Sequence, residues 1–120
     1  LELAKRFESI SDFFLTDTLI VRSGSACNPA QPVDGFVGIT GKTCDWDVAA
    51  NLVSKTTLPV ILAGGLSPEN VTAAIEAVRP AGVDSCTRTN ALDQNGRPIR
   101  FKKDAERVRR FVEAACAAAC

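Results

Sequence analysis

Histidine, methionine and tyrosine are all missing from this chain of 120 residues, and tryptophan occurs once. Without histidine, and with five cysteines (Cys27, Cys44, Cys86, Cys116, Cys120) in no metal-finger spacing, a metal centre is not expected. Neither charge sign prevails: 14 Lys and Arg balance 14 Asp and Glu, which argues against broad nucleic-acid binding. No apolar run approaches the roughly 20 residues a membrane span requires. No signal peptide opens the chain, so neither a membrane nor a secretory destination is expected. The odd number of cysteines reads as reduced thiols in a cytoplasmic protein. The sequon Asn70-Val71-Thr72 falls at an expected helix start and carries little weight as a glycosylation site. With no methionine and Leu1 at position 1, the chain reads as part of something longer.

What is present is a regular alternation. Leu3, Phe7 and Ile10 share one face of an opening helix, and Phe13 to Asp17 reads as a short buried strand. A loop rich in Gly, Pro, Ser and Asn runs from about Val21 to Thr43. A helix follows from Asp45 to Lys55, with Trp46, Ala49, Leu52 and Val53 inward. Then come a strand over Val60 to Ala63 and a helix from Pro68 to Val78, whose Val71, Ala74, Ile75 and Val78 keep the i, i+3, i+4, i+7 pattern. Gly82 to Cys86 makes a third strand, and a turn at Gln94-Asn95-Gly96 fits a small hairpin. The last helix, from Asp104, repeats the apolar pattern with Val108, Phe111, Val112 and Ala115. One helix followed by three βα units predicts an α/β fold with a parallel sheet under helical cover. Three strands are few for that architecture, so unpaired edges are expected.

Candidate chemistry gathers where the strands end, the ligand edge of parallel α/β folds. Asp17 closes the first strand, and a carboxylate there can serve as general acid or base. The stretch "ILAGGLSPEN" stops a buried strand at Gly64-Gly65 and passes into a helix that Ser67 can cap and Pro68 can open. Bare backbone N–H groups at such a place suit a phosphate. The segment "DSCT" ends the adjacent strand and adds Ser85, Cys86 and Thr87. Arg88, Arg97, Arg100, Lys102 and Lys103 make the following loop locally basic, suited to a phosphorylated or carboxylated ligand. "GITGKTCDW" is not a nucleotide-binding P-loop, since Phe36 stands where the first glycine is required and a long loop rather than a strand leads in. Gly41 and Lys42 fit a lid whose cation reaches a bound anion.

Taken in order, "FFLTDT", "GITGKTCDW", "PVILAGGLSPENVTAAI", "VRPAGVD" and "KKDAERVRRFV" resemble the phosphoribosylanthranilate isomerase family of tryptophan biosynthesis, over nearly the whole chain. The resemblance implies a (βα)8 TIM barrel of which residues 1–120 are a single partial domain, the last three βα units and the helix before them. A closed barrel takes about 200 residues or more, so a second chain, a second copy or the rest of a longer chain is expected to complete it. The implied reaction is an Amadori isomerisation of a phosphorylated sugar, with no cofactor. Asp17 matches the family's general acid, and Gly64 and Gly65 match its phosphate-binding backbone. The general base, a cysteine on the first strand, has no counterpart here; Cys44 stands where the family often has an aromatic residue. After the eighth strand the family usually reads Ser-Ser-Gly-Val-Glu, whereas this chain reads "SCTRTN". Two other readings stay open: a barrel that binds a phosphorylated ligand without isomerising it, and an inactive, self-associating barrel fragment.

Overall fold

The computed structural model describes residues 1–17 and 45–119. The expected loop from Val21 to Thr43, with Gly41 and Lys42, lies outside the described residues. Helix α1 (Glu2–Phe7) runs into a short 3-10 turn (Glu8–Ile10) and then strand β1 (Phe14–Thr16). After residue 44 come α2 (Trp46–Lys55), β2 (Val60–Leu62), α3 (Val71–Val78) and β3 (Gly82–Val83). A 3-10 turn (Thr87–Thr89) leads to the hairpin of β4 (Asn90–Leu92) and β5 (Pro98–Lys103), and α4 (Ala105–Ala119) follows.

The three strands form one parallel sheet in the order β1-β2-β3, as the alternation predicts. Register pairs Phe14 with Val60, Leu15 with Ile61 and Thr16 with Leu62. On the other side Ile61 pairs with Gly82 and Leu62 with Val83. Strand alternation then divides the sheet into two faces. Leu62 (0% exposed) joins the apolar core with Ala49, Leu66, Val71, Ala74, Val78 and Phe111, contributed by α2, α3 and α4. Trp46 and Val53 of α2 pack against that core as expected, but Leu52 turns to a groove beside α1. The opposite face is open, and Leu15 is 52% exposed. The groove, of about 440 Å³, is lined by Leu3, Phe7, Phe14, Leu15, Val48 and Leu52 among others. Leu3 and Phe7 of the opening helix thus line this groove, whereas Ile10 falls in the 3-10 turn and is exposed.

Helix boundaries follow their caps. Asp45 Oδ1 accepts the N–H groups of Asp47 and Val48 at 3.0 and 3.1 Å, starting α2 where expected. The helix expected from Pro68 begins only at Val71. Ser67 does act as a cap, its Oγ accepting the Glu69 N–H at 3.2 Å, while Asn70 Oδ1 accepts the Ser67 N–H at 2.8 Å. This reciprocal pair resembles a capping box and holds Pro68 to Asn70 as a tight turn ahead of the regular helix. The strand expected from Gly82 to Cys86 stops at Val83. Its last rung is the Asp84 N–H to Leu62 carbonyl bond (2.9 Å), after which Ser85 reaches sideways to another loop. The hairpin forms at the expected turn, with Gly96 at φ +74° and Asp93 Oδ1 accepting the N–H groups of Asn95 and Arg97. In α4, Phe111 is buried and Ala115 packs on the core, but Val108 and Val112 stay exposed, because α4 lays Phe111, Ala114 and Ala115 against α3 and its neighbours.

Candidate active site

The register brings three strand ends to one edge. Thr16 stands beside Leu62, so Asp17 follows beside Ala63, whose N–H donates to the Thr16 carbonyl at 2.9 Å. Leu62 stands beside Val83, so Asp84 follows on the other side of Ala63. By alternation Asp17 and Asp84 fall on the same face as Leu15 and Ile61, away from the helices. Asp17 is half-buried and Asp84 exposed. Asp84 carries no motif of its own; its signal is the strand-end position, at the last rung beyond Val83.

Immediately past Ala63, the backbone turns through Gly64 (φ +99°) and Gly65 (φ +64°). Both lie in the left-handed region that glycine enters without a Cβ penalty, so the pair is a conformational requirement of this turn. Asn70 Nδ2 donates to the Gly65 carbonyl at 3.1 Å and fixes the loop from below. The Gly64-Gly65 turn thus starts directly after Ala63, the residue beside Asp17, and the capped turn at Ser67 follows it.

The loop after β3 is held against the first. Ser85 Oγ donates to the Leu66 carbonyl at 2.6 Å, joining the two loops directly. This engages the Ser85 hydroxyl in positioning the loops rather than leaving it aimed at a ligand. Thr87 stands where the resembled family has glycine, yet it opens a 3-10 turn and keeps a negative φ. A β-branched residue is accommodated there without strain. The Cys86 carbonyl accepts from Lys103 Nζ and from Thr89 Oγ1 (3.1 Å), and Lys103 Nζ also donates to Thr89 Oγ1 at 3.0 Å. The Arg88 carbonyl accepts from Arg107 Nε at 2.9 Å. The same Arg107 guanidinium lies 3.7 Å from the Glu69 carboxylate, and Arg110 lies 3.4 Å from it. Burial pushes the Glu69 carboxyl upward, but hydrogen bonds from Ser67 and its own backbone N–H, with the charges of Arg107 and Arg110, outweigh this and hold it below the usual range.

The basic residues expected to form one ligand-facing group are distributed otherwise. Lys103 is turned onto the Cys86 carbonyl, and Arg100 lies over the Phe101 ring, 5.0 Å from its centroid. Arg107 and Glu69, outside the run of candidate residues, bridge the two loops. No local motif marks them, because their partners are 19 and 38 residues away along the chain. Gly41 and Lys42 lie outside the described residues. Among the described residues no group of three or more Cys, Asp or Glu is placed to hold a metal, and no helix is long and apolar enough to cross a membrane.

With the strand ends, the double-glycine turn and the braced loops placed, the chain can be set beside the proteins it is similar to. A family model described as N-(5'phosphoribosyl)anthranilate (PRA) isomerase matches residues 3–114. An N-(5'-phosphoribosyl)anthranilate isomerase of Methanocella arvoryzae is 39% identical over 113 residues, 94% of this chain and 43% of that protein. Isomerase 2 of Methanosarcina mazei is 40% identical over 111 residues, 92% of this chain and 41% of its own length. The crystal structure of the Thermotoga maritima enzyme superposes on 97% of this chain and 45% of that one, with a TM-score of 0.64 and 27% identity. A phosphoribosyl anthranilate isomerase solved in complex with reduced 1-(o-carboxyphenylamino)-1-deoxyribulose 5-phosphate matches 63% of this chain at 32% identity and a TM-score of 0.52. The chain spans less than half the length of the curated relatives it matches, and its three parallel βα units are part of a TIM-type barrel. From the first helix to the last, it belongs to the N-(5'-phosphoribosyl)anthranilate isomerase family.

Proposed function

We propose that this chain carries the acid and phosphate-binding side of a phosphoribosylanthranilate isomerase, acting in tryptophan biosynthesis in the cytoplasm. The observation that carries this reading is the register, which sets Asp17 one strand away from the Gly64-Gly65 turn and two strands away from the Ser85–Arg88 loop, all at one sheet edge. The substrate is an N-linked phosphoribosyl aldose. Its phosphate lies on the backbone of Gly64, Gly65 and the loop of Ser85, Cys86, Thr87 and Arg88, with Gly41 and Lys42 closing over it. The sugar ring then reaches back toward Asp17. As general acid, Asp17 protonates the ring oxygen, which lets the C1–O bond break as the nitrogen lone pair moves in behind it. A general base outside these residues removes the C2 proton, and the resulting enol form settles as the open-chain ketose. No electrons are exchanged with an external agent, so no cofactor is required.

Residues 1–120 form one partial domain in this reading. The open face bearing Leu15 and the groove beside α1 are the flanks on which the remaining barrel units pack, whether supplied by a longer chain, a second chain or a second copy. Similarity to the complexed isomerase supports a phosphorylated ligand at this edge. The test is Asp17→Asn in the complete barrel. Removing a positioned general acid should lower kcat by about 10²–10⁴-fold while the protein stays folded. Full activity in Asp17→Asn overturns the assignment of the acid. Tight ligand binding with no turnover in the unaltered barrel would instead mark a binding protein.

A further inference from the structure

Resting on the reading of the loop after β3 as a phosphate site, we propose that Lys103 and Arg107 are positioning residues for that loop, aiming its N–H groups by holding its carbonyls. A trans peptide is planar, and its C=O and N–H point to opposite sides. The Cys86 carbonyl and the Thr87 N–H belong to one such plane, and Lys103 Nζ and Thr89 Oγ1 both hold that carbonyl. At the far end of the same 3-10 turn, Arg107 Nε holds the Arg88 carbonyl at 2.9 Å. Drawing the Cys86 carbonyl toward β5 turns the Thr87 N–H the other way, and the Arg107 bond to α4 fixes the turn that carries it.

Spacing is set by the same residue. Arg107 reaches the Arg88 carbonyl and the Glu69 carboxylate with one rigid guanidinium, and Glu69 sits in the tight turn from Pro68 to Asn70. Ser85 Oγ on the Leu66 carbonyl makes a second cross-tie. Thr89 is buried at 3% exposure, so the residue that shares the Cys86 carbonyl with the exposed Lys103 is fixed in the interior. A glycine lets a loop approach an anion by omitting a side chain. This chain has Thr87 instead, and its loop is shaped by cations held on the far side of its peptide planes.

Lys103→Met, Lys103→Arg and Arg107→Gln in the complete barrel test this, read by KM, kcat and inhibition by inorganic phosphate. Phosphate contacts made equally in ground and transition states act on KM alone. Lys103→Met should therefore raise KM by about tenfold, the order expected for losing one charge-assisted hydrogen bond, with kcat unchanged and phosphate inhibition weakened in step. Arg107→Gln should move both values the same way. Lys103→Arg should restore most of the loss, since a guanidinium still donates to the Cys86 carbonyl. A folded Lys103→Met with unaltered KM and phosphate inhibition overturns the proposal and leaves Lys103 a simple strut. If that variant fails to fold, Thr89→Val removes only the hydroxyl that Lys103 shares. It should raise KM in the same direction by less, and an unchanged KM is again the refuting result. The underlying reading fails separately: inorganic phosphate would then neither inhibit the unaltered protein nor shift its Gly65 and Thr87 amide resonances.

Discussion

The two ends of the parallel sheet are tied together with the same kinds of group, used in opposite senses. At the amino end the Glu8 carboxylate collects donors. It accepts the Thr57 N–H at 2.8 Å and the hydroxyls of Thr56 and Thr57 at 2.8 and 2.9 Å, locking the approach to β1 against the approach to β2. At the carboxyl end Asn70 and Ser67 take the N–H groups of Ser67 and Glu69 within one turn, but the ties from loop to neighbour collect carbonyls. Gly65, Leu66, Cys86 and Arg88 each give up a carbonyl to a side-chain donor. An edge whose donors are taken up is closed to anions. An edge whose acceptors are taken up presents its remaining N–H groups, and there the barrel family binds phosphate. The difference lies in which half of the peptide the ties between segments claim.

Both ends rest on one core, and the largest effect expected is its loss. Leu62→Ala removes a side chain with 0% exposure at the centre of the helix-facing cluster, which should destabilise the fold by about 2–5 kcal/mol. Equilibrium denaturation would measure it. Since Leu62 lies between the two ends, both should loosen together, and hydrogen exchange at Thr57 and Thr87 would show whether they do.

A smaller and one-sided effect is expected at the carboxyl end. Gly65→Ala places a Cβ at φ +64°, costing roughly 1–2 kcal/mol of conformational strain and weakening inorganic phosphate binding, while the Glu8 clamp stays intact. Gly82→Ala is the control. Its Cβ would meet Ile61 Cγ1 at 3.6 Å, an ordinary contact, and its φ is not in the left-handed region. Calorimetric phosphate titration should separate the two variants, and equal behaviour would break the distinction drawn between the edges.

The smallest effect is electrostatic and belongs to the amino end. The backbone N–H of Thr57, then the hydroxyls of Thr56 and Thr57, hold the Glu8 carboxyl below its ordinary value of 4.5 in the folded state. A carboxyl whose folded pKa is depressed adds stability above its unfolded pKa and loses it as the pH falls through the folded one. Glu8→Gln should thus be less stable than the unaltered protein at neutral pH, and the gap should close below about pH 4. Thermal unfolding at both pH values checks the sign. The effect should be modest, since the carboxylate is solvent-exposed.

How much of this was legible beforehand depends on how local the cause is. Asp17 and Gly64-Gly65 could be placed at a strand end because a five-residue apolar run and its terminating residues lie side by side in the chain. The late start of α3 was not legible, since Ser67 and Asn70 cap each other over a turn that "SPEN" equally allows as a first helical turn. Lys103 was read as one of several loop cations because a run of basic residues says nothing of which one faces inward.

Sequence alone determined the order of elements, the parallel sheet and the residue types at its carboxyl edge. Those follow from hydrophobic period, glycine's access to positive φ, and the capping chemistry of residues a few positions apart. Only the tertiary structure decided the register that lines up Asp17, Ala63 and Asp84, and the bonds from Lys103 and Arg107 that orient the loop after β3. Those bonds join residues 17 and 19 positions apart. The partner of a long flexible cation is settled by what the packed helices and strands bring within its reach.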